Sequence, residues 1–339
     1  MDRIKILDCT LRDGGYVNDW KFEHAGEIIK SLHDAEIDII ECGFLDPQGD
    51  NSTTRYNNFN TINSHINKIF HRKSDKLFVS MIELEKYDSK ILPSLHEWEC
   101  DSNIKGIRLT FRKSAKSRFL KVAKEIINKG YKLFVQPIST VSYTDREILD
   151  LIDLIKDLDI YALYMVDTHG SIDWHSYDLK RIFTLFDNNL DSSIPIGFHS
   201  HNNLQLSYAL SCELINISTN RQLIIDSSLM GMGRGAGNLN TEMICNYLCG
   251  KKLKQINEHH IFNAIEKYIL PLKSQYTWGY SIPYFLSASN KCHPNYVSFL
   301  ENNNVSFENM VAILNKIPTD DRLEFNESLI KLKMKEYGY

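Results

Sequence analysis

The sequence predicts an α/β protein that folds as a closed (β/α)8 barrel, a TIM barrel, with a C-terminal helical segment. Short β-branched runs alternate with longer amphipathic stretches in eight successive units over the first 250 residues, the usual length of such a barrel. After Gly250 the alternation stops and no convincing strand follows. We therefore expect a barrel domain over residues 1–250 and a helical region over residues 251–339 that packs near the barrel mouth. A doubly wound open sheet is the alternative.

The predicted strands are short apolar runs bounded by polar or glycine-containing segments. They cover residues 4–9, 37–43, 77–81, 104–110, 132–136, 161–166, 194–199 and 223–229. The intervening helices are clearest where apolar residues recur at spacings of three and four, as at Phe119, Val122, Ala123, Ile126 and Ile127 and at Ile148, Leu149, Leu151, Ile152 and Ile155. In the helical region, residues 271–294 are expected to form a turn-rich insert.

Composition excludes several classes of protein. The 339 residues are 43% hydrophobic, which is enough for a large core, and the net charge of −4 gives no general basic field for nucleic acid. The seven cysteines are odd in number and lack paired CxxC spacing, which predicts reduced, mostly buried thiols in a cytosolic protein. No secretory leader pattern and no long apolar window is present, so we expect a cytoplasmic protein without membrane contact.

The segment LDCTLRDGGY at residues 7–16 is the first candidate for a functional site. An apolar strand runs into Arg12 and Asp13 and then into Gly14 and Gly15. Side chains at the carboxyl ends of parallel barrel strands converge on one mouth, where such barrels keep their chemistry. An ordinary polar turn, with the glycines at positive φ, fits the same residues.

A histidine pair at the end of the seventh predicted strand is the second candidate. His199 and His201 are two residues apart, so in an extended chain their side chains point the same way. Two histidines and one carboxylate suffice to hold a divalent ion that keeps open positions for substrate. Together with Asp13, the pair therefore predicts a metal site at the barrel mouth.

Other polar residues are expected at the same mouth because they lie on or directly after predicted strands. These are Glu41, Arg108, Gln136, Thr168 and His169. A glycine-rich run, GMGRGAGN at residues 231–238, follows the last strand. It superficially fits a dinucleotide-binding fingerprint, but no further parallel strand follows it, so we interpret it as a tight turn or as a close approach of backbone to a ligand.

Three ordered elements together resemble a known family. TLRDG at 10–14, HSHNNL at 199–204 and GMGRGAGN at 231–238 are similar to the motifs of the metal-dependent barrel lyases and synthases, which include 4-hydroxy-2-oxovalerate aldolase, isopropylmalate synthase and hydroxymethylglutaryl-CoA lyase. The resemblance covers roughly the first 250 residues. The HNNLxL form and the segment WGYSIPY at 278–284 look closest to the hydroxy-oxovalerate aldolase branch.

The resemblance implies a specific chemistry. Asp13, His199 and His201 would hold a divalent ion, Mn²⁺ or Mg²⁺ with Zn²⁺ or Co²⁺ as alternatives, and Asn238 matches a fourth ligand of the lyase branch. Arg12 would stabilise the enolate that forms when a carbon–carbon bond breaks. The implied activity is that of an aldolase that joins pyruvate, or a similar 2-oxo acid, to an aldehyde or cleaves that bond.

The sequence also departs from the family pattern. Such aldolases carry a histidine base two residues after RDG, whereas this chain has Tyr16, and a phenol titrates near a pKa of about 10. Three explanations are open: Tyr16 acts through water, His169 has taken the role, or the substrate differs. Arg234 stands in a loop where the lyase branch has a cysteine, which counts against cleavage of a coenzyme A thioester.

The remaining expectations concern substrate and partners. Arg234 is expected to contact an anionic or phosphorylated aldehyde half, with a surface arginine in a turn as the alternative. Tyr280, Glu41, Arg108, Gln136 and Thr168 complete the predicted substrate-binding set. The alternative activities are a Claisen-type acyltransferase or lyase acting on an acyl-CoA thioester, and a catalytically silent barrel that serves as a scaffold. The sequence leaves open a homo-oligomer and a dehydrogenase partner that takes up the aldehyde.

Overall fold

A computed structural model describes residues 3–51, 54–70, 74–96, 102–175 and 177–339. Its strands are β1 (Ile4–Asp8), β2 (Ile39–Leu45), β3 (Arg55–Tyr56), β4 (Leu77–Glu83), β5 (Ile104–Phe111), β6 (Lys132–Pro137), β7 (Ile160–Asp167), β8 (Ile196–Ser200) and β9 (Leu223–Ser227). All the pairings between these strands are parallel, and β1 pairs with both β2 and β9. Because β3 only flanks β2, the other eight strands close into a barrel. The predicted TIM barrel is confirmed, and the open sheet is wrong.

Each predicted strand end lies within two residues of the observed one. The largest shift is at β2, which begins at Ile39 because Ile37 still belongs to the preceding turn, where its backbone N–H donates to Leu32 O at 3.1 Å. The two-residue strand β3 was not predicted. Apolar content alone therefore locates the strands, while the hydrogen bonds of the adjoining turns set their ends.

Helices fill most of the connections. Up to residue 250 they are α1 (Thr10–Asp13), α2 (Gly15–Asn18), α3 (Ala25–Asp34), α4 (Phe59–Ile69), α5 (Lys116–Asn128), α6 (Asp145–Ile155), α7 (Asp178–Asn189), α8 (Ser207–Ile215) and α9 (Thr241–Gly250). In the described part of the connection between β4 and β5, two 3₁₀ turns, Leu84–Lys86 and Ser89–Ile91, replace the expected helix.

Helix α6 shows why these segments become helical. Thr144 and Glu147 form a reciprocal capping box at its start, which satisfies backbone N–H groups that the first turn leaves unpaired. Its apolar residues then face the barrel at spacings of three and four, with Ile148, Leu151, Ile152 and Ile155 buried. The predicted amphipathic pattern thus corresponds to a helix packed on the outside of the sheet.

After Gly250 the described chain is helical, as expected. The helices are α10 (Glu258–Ala264), α11 (Leu270–Gln275), α12 (Ile282–Ser289), α13 (Pro294–Asn302), α14 (Phe307–Asn315) and α15 (Glu327–Lys335). The turn-rich insert predicted for residues 271–294 is wrong, because Pro271, Pro283 and Pro294 lie in the first turns of α11, α12 and α13. Proline is accepted there since those N–H groups have no helical partner.

Two apolar clusters organise the C-terminal region. Residues 261–278 belong to the same buried cluster as the barrel and its surrounding helices, through side chains such as Ile261, Ile269 and Trp278. A second cluster is formed by residues 286–334, with Tyr296 and Ile313 fully buried. The division of the chain at residue 250 stays a prediction.

Two further expectations concern cysteines and membranes. The described cysteines are all free, and Cys100 lies outside the described residues. Among the helices of the described chain, none combines the length and apolar content needed to cross a lipid bilayer.

Candidate active site and metal centre

The LDCTLRDGGY segment forms a strand followed by a helical turn. Strand β1 ends at Asp8, whose carboxylate accepts a hydrogen bond from Thr10 N at 2.9 Å, and Arg12 and Asp13 then lie on α1. The alternative of an ordinary turn with the glycines at positive φ is wrong, because Gly14 has φ −62° and Gly15 is not at positive φ either. Space explains Gly15 instead, since a Cβ there would lie 2.1 Å from the Trp20 ring.

Asp13, His199 and His201 form a buried triad. One potential ligand atom from each lies within 4.8 Å of the other two. His199 is on β8, and His201 follows it in a short antiparallel bridge to Asn238. The imidazole rings are 5.3 Å apart and nearly perpendicular, at 85°. The structure therefore brings together, from opposite ends of the barrel sequence, the three residues that the motifs singled out.

Backbone and carboxylate partners orient both imidazoles. His199 Nδ1 lies 3.0 Å from Asp226 Oδ2, and His201 Nδ1 lies 3.2 Å from the carbonyl oxygen of Arg234. Since these oxygens accept, Nδ1 is the donor in each contact and Nε2 is the nitrogen left to face a metal ion. Partners of this kind are typical of metal-binding histidines.

Asn238 and Gly233 complete the surroundings of Asp13. Asn238 Nδ2 donates to Asp13 Oδ2 at 2.6 Å, while the buried Asn238 Oδ1 has no hydrogen-bond partner among the described residues. A Cβ on Gly233 would lie 2.4 Å from Asp13 Oδ2 and 2.2 Å from Asn238 Nδ2. Two imidazole nitrogens, a carboxylate and an unpaired amide oxygen fit a divalent ion that accepts nitrogen and oxygen ligands.

The electrostatics of the triad also suit a metal. Burial alone would raise the pKa of Asp13, but the positive charge of the adjacent Arg12 holds that pKa well below its usual range. Burial lowers the pKa of His201 to about 3, and Asp13 only partly opposes this effect. Asp13 is therefore ionised and His201 neutral near pH 7, as metal binding requires.

Two nitrogens of the Arg12 guanidinium are hydrogen-bonded to carboxylates, and the third is not. Its Nε donates to Glu41 Oε2 at 2.8 Å, and its Nη1 donates to Asp13 Oδ1 at 2.5 Å. The remaining Nη2 is buried without a partner among the described residues. Leaving a buried donor unpaired costs on the order of 1–3 kcal/mol, so this edge of the guanidinium is suited to a ligand oxygen.

A chain of buried charges connects Arg12 with His199. Arg108, which is 0% exposed, donates to Glu41 Oε2 at 2.6 Å and also to Asp226 Oδ2, the oxygen that faces His199. With its amide oxygen turned toward Arg108, Gln136 accepts two further bonds, at 2.6 and 2.9 Å. Asp226 was missed in the sequence, although an acid within the apolar run LIIDS was a usable signal.

Four further side chains are near the triad or near Arg234, namely Tyr16, His169, Arg234 itself and His293. Tyr16 is 49% exposed as a residue and packs edge-on against Trp20, and partial burial of its hydroxyl raises its pKa to about 12. Burial lowers the pKa of His169 to about 4, with a further contribution from Arg234. Tyr16 is thus protonated and His169 neutral near pH 7.

His293 was missed because it belongs to the helical region, far along the chain from the motifs. Arg234 Nη2 donates to His293 Nε2 at 3.0 Å, and the rings of His293 and His169 are 5.3 Å apart. The helical region therefore contributes a side chain to the mouth.

The other predicted substrate-binding residues have different surroundings. Thr168 Oγ1 accepts a hydrogen bond from Ser139 N at 2.8 Å and fixes the neighbouring loop. Tyr280 is 58% exposed, and the described hydrogen bonds do not connect it with the triad. Substrate contacts by Glu41, Arg108, Gln136, Thr168 and Tyr280 stay predictions.

Known proteins share this fold and parts of the sequence. Residues 3–269 match the HMGL-like family. A 4-hydroxy-2-oxovalerate aldolase of Carboxydothermus hydrogenoformans is 26% identical over 257 residues, which are 71% of this chain and 69% of that protein. Another, of Geobacillus genomosp. 3, is 25% identical over 277 residues, 79% and 77% of the two chains.

Among solved structures, the N-terminal domain of a Bacteroides vulgatus protein assigned as an aldolase superposes with a TM-score of 0.75. The two share 26% of their residues, and the match covers 90% of this chain and 98% of that domain. The family match takes in most of the chain, including the three motifs and the buried triad. The chain belongs to the HMGL-like family.

Proposed function

We propose that this protein is a metal-dependent aldolase that forms or cleaves the carbon–carbon bond between pyruvate, or a similar 2-oxo acid, and an aldehyde. The observation that carries the proposal is the buried Asp13, His199 and His201 triad beside an Arg12 Nη2 without a partner among the described residues. The relatives named as 4-hydroxy-2-oxovalerate aldolases support this reaction class.

Asp13, His199, His201 and Asn238 are the residues that would hold the ion, and Mn²⁺ and Mg²⁺ are the ions we propose. A divalent ion at this position would act as a Lewis acid toward the oxygens of a 2-oxo acid. The same donor set also accepts Zn²⁺ or Co²⁺.

Arg12 stabilises the charge that develops during cleavage. The 4-hydroxyl loses its proton, the bond between C3 and C4 breaks, and the electron pair delocalises onto the C2 oxygen. Arg12 Nη2 is the available donor to that oxygen, while Glu41 and Asp13 keep the guanidinium in place. A fixed donor aimed at developing charge lowers the barrier without reorganisation at the moment of reaction.

The proton steps are assigned by protonation state. His169 is neutral near pH 7, so it can accept the proton of the 4-hydroxyl, whereas Tyr16 with its raised pKa keeps its proton and can donate a hydrogen bond. A proton from water at C3 of the enolate then gives pyruvate, and His169 returns its own proton to water. Among the explanations for Tyr16 at this position, we therefore favour His169 as the base.

Pyruvate labelling tests the proposal directly. With Mn²⁺ in D₂O, the protein should exchange the methyl protons of pyruvate, and Asp13→Asn should abolish both exchange and metal binding. Asp19→Asn, at an exposed carboxylate six residues further along the chain, is the matched control and should retain both. Absence of exchange and of Mn²⁺ binding in the unaltered protein would contradict the proposal.

The same preparation tests the alternatives. Thiol release from acetyl-CoA with a panel of 2-oxo acids would indicate a Claisen-type enzyme, and we expect none. A scaffold would keep its cellular role when Asp13→Asn removes the ligand. A cytoplasmic location, a homo-oligomer and a dehydrogenase partner remain part of the proposal, and the free thiols of the described cysteines support the location.

A further inference from the structure

Arg234 stands out at the mouth because its charge has no carboxylate partner. It lies in the glycine-rich loop after β9, and its backbone oxygen is 3.2 Å from His201 Nδ1, so the residue is one hydrogen bond from the triad. Within the described ranges, no Asp or Glu side chain forms an ion pair with its partly buried guanidinium. This differs from Arg12 and Arg108, which are both paired with carboxylates.

Among the described residues, the hydrogen-bond partner of the Arg234 guanidinium is a neutral imidazole and not a carboxylate. His293 Nε2 lies 3.0 Å from Arg234 Nη2, while His293 Nδ1 faces the backbone N–H of Asn295 at 3.1 Å. A neutral imidazole has one acceptor nitrogen, so it can satisfy only one of these two donors at a time. The fork of Arg234 therefore keeps donors available for a ligand.

The position of His293 is fixed by the helical region. Its backbone N–H donates to Arg322 O at 2.7 Å, and it is the residue before Pro294 at the start of α13. Its ring is edge-on to that of His169 at 5.3 Å. The guanidinium is thus directed by a rigid element to the side of the mouth where His169 lies.

We propose that Arg234, positioned by His293 and flanked by His169, is a subsite for an anionic group, phosphate or carboxylate, on the aldehyde half of the substrate. This inference rests on the proposed aldolase function. A planar guanidinium binds either group through two parallel hydrogen bonds, and it does so best where water is partly excluded.

Geometry separates this subsite from the 2-oxo acid. Arg12 points from the barrel interior, where Glu41 holds it. The side chain of Arg234 instead ends at His293, the residue that precedes α13. The proposal therefore assigns the aldehyde half, and not the 2-oxo acid, to Arg234.

The test compares charged and uncharged aldehydes of similar length in condensation with pyruvate. Succinic semialdehyde is paired with butanal, and glycolaldehyde phosphate is paired with butanal in a second arm, so that the arms distinguish carboxylate from phosphate. We expect kcat/KM to be about 10- to 100-fold higher for at least one anionic aldehyde, the effect of a charge-assisted contact. Arg234→Gln should bring that ratio close to one.

Three further variants define the roles. Arg146→Gln, the same substitution at an exposed arginine on α6, should keep the wild-type ratio. His293→Ala should lower the ratio, and His293→Gln, which keeps an acceptor, should restore part of it. The histidine variants also report on the subsite if Arg234→Gln fails to fold.

Pyruvate deuterium exchange separates the two hypotheses. If wild-type protein shows no exchange, the aldolase proposal fails and this inference fails with it. If exchange is normal but the ratio is near one, or if Arg234→Gln lowers kcat/KM equally for all aldehydes, the anionic subsite is overturned while the aldolase proposal stands.

Discussion

Arg12 donates hydrogen bonds in two directions and has donor capacity left in a third. Its guanidinium donates to Glu41 and Asp13, and its Nη2 is buried without a partner among the described residues. A lysine at this position would keep the positive charge that lowers the pKa of Asp13, but one ammonium group cannot reach all three directions. The residue therefore offers a way to separate metal binding from catalysis.

We expect Arg12→Lys to reduce kcat by about 100-fold or more, since it removes a fixed donor to the developing oxyanion. Mn²⁺ affinity should change by less than about tenfold, because Asp13 and both histidines remain. Steady-state kinetics and Mn²⁺ titration by electron paramagnetic resonance measure the two quantities. Equal losses in both would show that Arg12 acts only through the metal site.

Gly233 allows a second prediction about a single residue. An added Cβ would overlap Asp13 Oδ2 and Asn238 Nδ2, so Gly233→Ala should displace the ligand carboxylate and lower Mn²⁺ affinity strongly. Gly250→Ala is the matched control, because a Cβ there meets nothing within 4 Å. Metal titration of both proteins checks this, and unchanged affinity in Gly233→Ala would refute it.

Sequence motifs could predict the triad but not its supports. Asp13, His199 and His201 adjoin strand ends, where residue type and spacing are informative. His293 has no such marker, since it precedes an ordinary proline-started helix and meets Arg234 only through tertiary packing. The sequence also could not predict the backbone conformation of Gly14. Tight packing and positive φ both favour glycine, so the residue type alone does not distinguish between them.

At the level of elements, side chains from four strands and one short helix form one buried chain of charges. It runs from α1 through β2, β5 and β9 to β8, by way of Arg12, Glu41, Arg108, Asp226 and His199. Each buried cation thereby has an anion on either side, which offsets the cost of burial. The barrel strands thus fix the relative positions of Arg12 and a metal ligand.

Asp226→Asn tests this connection. The change weakens the partner of His199 and leaves Arg108 with less compensation, so we expect metal affinity to fall by about 10- to 100-fold and unfolding free energy to fall by a few kcal/mol. Mn²⁺ titration and urea denaturation measure these. Asp187→Asn, which removes an ion-pair partner of Arg221 away from the triad, should lower stability without a comparable loss of metal affinity.

The strands could be predicted individually, but the pairing of their charges could not. Arg108 and Asp226 each interrupt an apolar run, which indicates a side chain inside the barrel with a buried partner. Which acid meets which base depends on the register of strands far apart in the chain. Only the closed barrel places β5 opposite β9.

For the whole molecule, stability at acid pH depends on buried groups whose pKa values are shifted in ways that have opposite effects on the unfolding free energy. Burial lowers the pKa of His169 to about 4, of His201 to about 3 and of His293 to about 3, so the unfolded chain binds more protons below pH 6.5. Their contribution to stability is therefore lost as pH falls. Burial raises the pKa of Asp8 to about 6, so its effect has the opposite sign.

Between pH 7 and pH 5, the unfolding free energy of His169→Gln should fall by about 1–2 kcal/mol less than that of the wild type. Asp8→Asn should lose more than wild type over the same interval, because it lacks the proton uptake of the folded carboxyl group. Urea denaturation with a chelator present checks both. Identical losses in the three proteins would contradict the assignment of buried neutral histidines.

The attachment of His293 to a separate apolar cluster has a consequence for how this enzyme can change. The residues around Arg12 belong to the interior of the barrel, so substitutions there disturb the whole charge chain. Arg234 and His293 lie on a loop and at a helix start outside it. Substitutions at residues 234 and 293 can therefore change which aldehyde is accepted while the chemistry on the 2-oxo acid is kept. This holds for natural selection and for selection from a mutant library.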